Sequence, residues 1–540
     1  MAIADRLLAL VTSAAEELFE QLRIDPAPLS MVSIDEPAVA QHGDYASNAA
    51  LVLAKTLAQP PRHIAEILAQ RLRQDVLVDA IEVAGPGFLN IWIAPWALAR
   101  EVIALFNDGE EYFRTDLGRG ATLQVEFVSA NPTGPLHVGN GWLATYGDAL
   151  SRLMAFVNYR VTKEYYVNDT GGQIRQLGAS ILAVRTGAQV PEGGYQGAYI
   201  SELAARYEGS DDVVEAGNWA VPIILDLIRT TLDDLGIQMD NWFSQASIEE
   251  SGAVADVVGE LASRGAIYER EGALWFASES FGDSRDRVMR KSNGDFTYLA
   301  GDIAYHYNKL VVRGFSLVID VFGADHHGQV ASMMAAIRAL GIDEGRLEIK
   351  LGQMVSLLDN GQAVKFSKRA GTAIPLDWLI EELGRDATRL LILSSSIDRA
   401  SQIDLAQAKA QSMENPVFYI QYAHARISAL LRNAVHQGVD MEVASIEALA
   451  SCRHPREVAL MKNLLRLGPV IVRAAEERAP HKIVGWLMGA ASDFHGFYHD
   501  CPVLSAPPAE RTARLTLARA TQVALATALD LLGVAPLEEM

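Results

Sequence analysis

The sequence predicts an α/β protein in which a parallel-sheet domain lies between a small N-terminal α/β module and an all-helical C-terminal part. Three observations carry this. Residues 122–156 pass from a period-two apolar run, Leu123, Val125 and Phe127, through a loop with Asn131, Pro132, Gly134 and Pro135. Helical spacing then takes over at Trp142, Leu143, Tyr146, Leu150, Leu153 and Met154. The stretch YRVTKEYYVNDTGGQI repeats strand then helix start, and such alternation implies a parallel sheet with its ligand at the strands' C-terminal ends. From Asp377 onward the pattern is almost entirely helical.

Composition bounds the class. At 540 residues and 50% hydrophobic, the chain holds about three to four domains and excludes a disordered protein. No run of 18 or more apolar residues occurs, and the acidic, amphipathic MAIADRLLALVTSAAEELFEQL is unlike a signal peptide, so a cytoplasmic protein with no membrane partner is expected. Cys452 and Cys501 lie outside any CxxC spacing and read as reduced thiols. A net charge of −21 argues against a sticky, nonspecific nucleic-acid binder without excluding an RNA partner.

Residues 1–115 read as the first unit: a helix Ala2–Leu22, a Pro-rich link, a helix from Ala46 to Leu57, and a third from Pro61 to Leu72 with proline well placed at its start. IEVAGPGFLNIWIA then gives two strands about a turn at Gly85, Pro86 and Gly87. The central unit, 116–390, opens with the strand at Thr122. Its loop delivers His137, Gly139 and Asn140 to the first turn of a helix, where free N–H groups and the dipole favour an anion such as phosphate. The loop is neither GxGxxG nor GxxxxGK[ST], and a lone His there would equally serve as a helix cap.

Residues 175–290 mix helices with short strands such as GALWFAS and read as an insertion between two halves of the sheet. In DFTYLAGDIAYHYNKL, Tyr298 and Asp302 share a helix face, and a phenol beside a carboxylate suits a guanidinium; an ordinary helix with a surface Asp is the alternative. SLVIDVFGADHHGQV brings Asp325, His326, His327 and Gln329 to a strand end, without the further ligands a structural metal needs. VKFSKRAGT sets Lys365, Ser367 and Lys368 in a basic loop suited to a polyphosphate leaving group, although most basic loops are simply solvated.

The last unit, 391–540, is read as all-α, and its 14 Lys+Arg against 15 Asp+Glu leave the acidity of the chain in the first 390 residues. In ENPVFYIQYAHARI, Tyr419, Tyr422, His424 and Arg426 could stack on or bond to unpaired bases, while an aromatic stripe at this spacing is more often core. His495, His499 and Cys501 have helix-face metal spacing, but no protein-bound metal is expected.

The run PLHVGN resembles the HIGH signature of class I aminoacyl-tRNA synthetases, and its setting VEFVSANPTGPLHVGN closely resembles the arginyl-tRNA synthetases. KFSK resembles the second signature, KMSKS, with Phe366 for Met, and follows in the family's order. HGDYASNAALVLAK and GPGFLNIWI resemble that family's N-terminal domain, which touches the tRNA elbow, and ENPVFYIQYAHARI its helical anticodon-binding domain. The resemblance implies a Rossmann-like catalytic domain that ligates L-arginine to its tRNA through an arginyl-adenylate, using ATP with Mg2+ and acting as a monomer. It assigns ATP to Pro135, His137, Gly139, Asn140, Lys365, Ser367 and Lys368, with His137, Asn140, Lys365 and Lys368 catalytic. Arginine falls to Glu126 and Asn131 at its α-amino end, to Tyr298 and Asp302 at its side chain, and to Gln329 with His327 in the pocket. The tRNA falls to Tyr419, Tyr422, His424 and Arg426.

Asn140 departs from the commonest signature, which has a second His; Asn still donates a hydrogen bond but carries no charge. A noncatalytic paralogue would keep the fold and lose signature residues, and a nucleotidyltransferase of the same superfamily would lack the long helical C-terminus.

Overall fold

The computed structural model describes residues 3–22, 27–37, 39–353, 355–363, 374–410 and 415–540. After a helix Ile3–Leu22, the N-terminal module builds an antiparallel sheet from β1 (Ile34–Asp35), β2 (Tyr45–Ser47), β3 (Val78–Ala84) and β4 (Phe88–Ile93), in the order β1-β2-β4-β3. The second helix begins at Ala49 rather than Ala46, because Tyr45–Ser47 is claimed by pairing with β4. The third runs Pro61–Leu72 as expected, with proline at its first turn. Gly87, at φ +142°, passes so near that helix that a Cβ would sit 2.9 Å from the Pro61 carbonyl carbon.

The next helix, Pro95–Asp108, leaves this module and packs on two helices of the C-terminal part, Ile446–Ala450 and Pro508–Leu531. The boundary at 115 therefore follows an element that belongs, by packing, to the far end of the chain. Two ion pairs close the same junction, Lys462 with Asp44 at 2.5 Å and Arg466 with Glu36 at 3.0 Å.

The central sheet contains β5 (Thr122–Glu126), β6 (Arg160–Val167) and β7 (Asn241–Ser244). A separate antiparallel meander follows as β8 (Ile267–Arg270), β9 (Ala273–Phe276) and β10 (Arg287–Arg290), and the sheet resumes with β11 (Leu317–Gly323) and β12 (Leu347–Gly352). All five sheet strands are parallel, in the order β12-β11-β5-β6-β7. This corrects the expected insertion at 175–290: β7 pairs with β6, so the helices before it are a strand-to-strand crossover, and only the β8–β10 meander stands outside the sheet. Strand NWFS is too short to announce itself by periodicity. The order runs outward from β5 in both directions, which opens a crevice between the C-terminal ends of β5 and β11.

Three further strands, β13 (Val355–Asp359), β14 (Gln362–Ala363) and β15 (Ser401–Asp404), make a small sheet ordered β14-β13-β15. The all-helical reading from Asp377 is thus corrected at Ser401–Asp404, which pairs parallel with β13. The helical bundle proper begins at Pro416. Among the described residues no helix is long and apolar enough to cross a membrane.

Candidate active site

The crevice is shaped first by the turn that ends β5. Val128 and Ser129 take φ values of 68° and 38° in succession. A β-branched residue in that region is costly, about 1–3 kcal/mol, and persists only where its surroundings impose it. Here they do. Ser129 Oγ donates to Glu126 Oε1 (2.9 Å) and accepts from the Tyr166 backbone N–H (3.1 Å). The Tyr165 and Tyr199 hydroxyls donate to the carbonyls of Ala130 (2.7 Å) and Thr133 (2.9 Å).

The chain then turns into the helix Val138–Phe156 with His137 as its N-cap. His137 Nδ1 accepts from the Asn140 backbone N–H (3.3 Å), and Asn140 Oδ1 accepts from the His137 N–H (3.1 Å), a reciprocal cap. An accepting Nδ1 puts the proton on Nε2, and desolvation lowers the pKa of the ring, so a neutral imidazole offers an N–H donor beside the free N–H groups of the helix. This gives Asn140 a reason: its side-chain oxygen is spent on the backbone that holds His137. His137, Pro135 and Gly139 are all exposed. A Cβ at Gly139 would stand 3.0 Å from His137 Cε1, and one at Gly147 would stand 2.2 Å from Phe127 Cγ, so the two glycines free the ring and seat the helix on the sheet.

Lys365, Ser367 and Lys368 lie outside the described residues. The chain that follows them is joined to the His137 loop: the Val138 N–H donates to Ile374 O (2.9 Å) and the Leu376 N–H to Leu136 O (2.9 Å), about an antiparallel bridge between His137 and Pro375.

Across the crevice, Thr297 caps the helix Tyr298–Tyr307. Tyr298 is 69% exposed, with its hydroxyl near Gly171, where a Cβ would lie 3.4 Å away. Asp302 is half-buried, and among the described residues its carboxylate has no hydrogen bond or ion pair. Burial raises its pKa to about 6, with the negative charge of Glu126 adding to the rise and the charge of His306 opposing it. Tyr166 feels both carboxylates, which helps lift its phenol far above the usual range after burial itself. Gln329 Oε1 meets His326 Nδ1 at 3.2 Å, while His327 and Gln329 are exposed at the start of the helix His327–Ala339. Asn131 is half-buried on the strained loop, and its amide makes no hydrogen bond among the described residues.

Residues unnoticed in the sequence complete the site. The helix Tyr298–Tyr307 runs into a π-turn, Asn308–Val312, which carries Lys309 into the sheet. Lys309 has no exposure, and its Nζ donates to Glu126 Oε2 (2.5 Å) and Asp320 Oδ1 (2.7 Å). Glu126 is 3% exposed and pairs with Lys309 through Oε2. His306 Nε2 meets the other oxygen of Asp320 at 2.7 Å. Nearby, Glu164 takes both Arg313 nitrogens (2.5 and 2.8 Å), the Tyr305 hydroxyl (2.5 Å), Gln124 and Asn241. A charge inside an apolar helix pattern was the one available signal for Lys309.

In the helical part, Tyr419 and Tyr422 gather around His495, and the Arg426 guanidinium lies over the rings of Tyr422 and Tyr498 at 5.2 and 4.4 Å. These rings are half-buried on one surface. His424 is the exception, and the expectation for it is corrected: it is 4% exposed, with Nδ1 2.7 Å from the Leu537 carbonyl, so it holds the C-terminal segment and cannot reach a base. Cys501 Sγ is buried 3.3 Å from His454 Nδ1, while His499 pairs with Asp500, so the helix-face spacing does not converge.

Three family profiles match the chain in order: "Arginyl tRNA synthetase N terminal domain" over residues 5–93, "tRNA synthetases class I (R), catalytic domain" over 208–430, and "DALR anticodon binding domain" over 420–540. The arginine–tRNA ligase of Moorella thermoacetica is 41% identical over 552 residues, covering 99% of this chain and 98% of that one. The arginine–tRNA ligase of Caldanaerobacter subterraneus is 42% identical, covering 94% of each. The solved arginyl-tRNA synthetase of Thermus thermophilus shares the fold, with a TM-score of 0.80 at 24% identity, over 99% of this chain and all of that one. With relatives of this likeness along its whole length and these profiles in this order, the chain belongs to the arginyl-tRNA synthetases.

Proposed function

We propose that the crevice between β5 and β11 takes arginine and ATP side by side, with Asp302 as the residue that selects the guanidinium. The activity of the chain is ligation of L-arginine to tRNA. A carboxylate oxygen of arginine attacks the α-phosphorus of ATP, pyrophosphate leaves, and a terminal ribose hydroxyl of tRNA then attacks the adenylate carbonyl and expels AMP. No covalent enzyme intermediate is required, so the site acts by positioning and charge stabilisation.

The observation that carries the reading is the Asp302 carboxylate, half-buried and without a partner among the described residues, with its pKa raised to about 6. A guanidinium supplies what it lacks, and Tyr298 on the same helix face closes over the side chain. Glu126 and Asn131 hold the α-ammonium, and Gln329 borders the pocket. The Nε2–H of His137 and the helix N–H groups around Gly139 and Asn140 take the phosphates, beside Pro135, and Mg2+ arrives with ATP as part of the substrate. Lys365, Ser367 and Lys368 meet the leaving pyrophosphate, and the chain from Ile374 onward is tied to Leu136 and Val138. Tyr419, Tyr422 and Arg426 stack on anticodon-arm bases.

Arginine-dependent ATP/pyrophosphate exchange, with and without tRNA, tests the assignment. His137→Ala is expected to lower the exchange rate by roughly 10²- to 10³-fold, as for loss of one charge-stabilising donor. An unchanged rate in a folded variant would place the nucleotide elsewhere.

A further inference from the structure

The register of the central sheet pairs Glu126 on β5 with Asp320 on β11, which sets two buried carboxylates beside one another at the switch point of strand order. Like charges this close, away from water, cannot both stay ionised unaided. The cation that permits it is Lys309, delivered from a third element by the π-turn and shared between the two at 2.5 and 2.7 Å. Its ammonium also lies 4.2 Å from the centre of the Tyr305 ring. Burial opposes its charge, but Asp320 and Glu126 outweigh burial and hold the lysine above its ordinary range, while Lys309 and His306 bring Asp320 down to about 2.

The contacts continue. His306 bonds Asp320 through Nε2 and meets the backbone carbonyl of Asp302 through Nδ1, at 2.7 Å each. A chain of contacts therefore runs from Glu126 through Lys309, Asp320 and His306 to the peptide of Asp302. The remaining charges packed against it, Glu164 and Arg313, neutralise one another.

We propose that Lys309 is a positioning residue for arginine recognition: it bridges Asp320 and Glu126 and so holds the Glu126 carboxylate fixed toward the α-ammonium. The same contact chain holds the guanidinium end in register with the α-amino end. This rests on the roles given above to Glu126 and Asp302. Lys309 touches no substrate, and its effect passes through Glu126.

The test uses the full-length enzyme in ATP/pyrophosphate exchange, read as KM for arginine, KM for ATP and kcat, between pH 6.5 and 9. In Lys309→Met, the two carboxylates are left to share a proton and Glu126 is no longer held in place. KM for arginine should rise by about 10²-fold with little change in KM for ATP. Its kcat/KM for arginine should also climb with pH above neutrality, as the shared proton leaves. Lys309→Met/Asp320→Asn removes the second negative charge, so KM for arginine should return to within about tenfold of the parent.

A folded Lys309→Met with the parent's arginine KM and pH profile overturns the proposal, as does a folded double variant no better than the single one. Should the single variant fail to fold, the double variant alone decides: an arginine KM near the parent's supports the proposal, and one raised about 10²-fold overturns it. Glu126→Gln separates the premises. If it leaves the arginine KM unchanged, the role of Glu126 fails; if it raises the KM while Lys309→Met does not, only the role of Lys309 fails.

Discussion

Replacing Asp302 by Asn should make the substrate-free protein more stable while depriving it of arginine. The carboxyl titrates near 6 in the folded chain against an ordinary 3.8, because burial disfavours its charge and the charge of Glu126 adds to the effect. Between those two values the native state binds more protons than the unfolded one, so stability falls as pH rises through the window. At about 1.36 kcal/mol for each tenfold change in proton affinity, the full cost of ionising Asp302 is roughly 3 kcal/mol above pH 6 and vanishes below about pH 4. Asn keeps the shape without the charge. Urea denaturation of parent and Asp302→Asn, followed through the transition of the catalytic domain, should show the variant ahead by up to about 3 kcal/mol at pH 8 and by about half of that at pH 5. Titration with arginine should show the reverse order, with a loss of about 2 to 5 kcal/mol in the variant. In the parent, arginine affinity should weaken as pH falls through about 6, where the carboxylate takes up its proton. Equal stabilities at both pH values together with equal arginine affinities would refute the reasoning, since Asp302 would then be neither strained nor the guanidinium partner.

Three further outcomes follow. Gly139→Ala places a methyl 3.0 Å from His137 Cε1 and 3.1 Å from Nδ1, so the ring must shift and KM for ATP should rise by about tenfold in the exchange assay; an unchanged KM would mean that the ring has room to spare. His424→Ala frees the Leu537 carbonyl and should cost about 1–3 kcal/mol of stability with tRNA affinity kept. Tyr422→Ala should weaken binding of labelled tRNA by about 1–3 kcal/mol, and a swap of these two results would reverse the assignment of core and contact residue.

Local chemistry made much of the site legible. Proline at the start of Pro61–Leu72, the turn at Gly85–Gly87 and the start of the His137 helix each depend on residues within a few positions, and each stands where the sequence puts it. Tyr298 and Asp302 share a helix face for the same reason. Alternation in Leu123, Val125 and Phe127 marks β5 correctly but suggests a half-exposed strand, whereas Gln124 and Glu126 on its other face are buried too. The other side of a strand is polar by sequence and buried by its neighbours, and only the neighbours can say so.

What the sequence by itself determined is the set of short-range units: a helix start at His137, a phenol–carboxylate pair on one helix face, a basic stretch KFSK and an ordered series of domain signatures. What only the tertiary structure decided is which units meet. Lys309 and Glu126 are 183 positions apart, and their pairing depends on a sheet that places β11 beside β5. The four residues of β7 became a sheet strand only because β6 offered a free edge, and His424 became core only because the C-terminal segment folds back across it. Propensity and capping act over one or two turns of chain, while strand order and burial are set by the whole molecule. Residues whose partners are remote in sequence therefore take their roles from the fold.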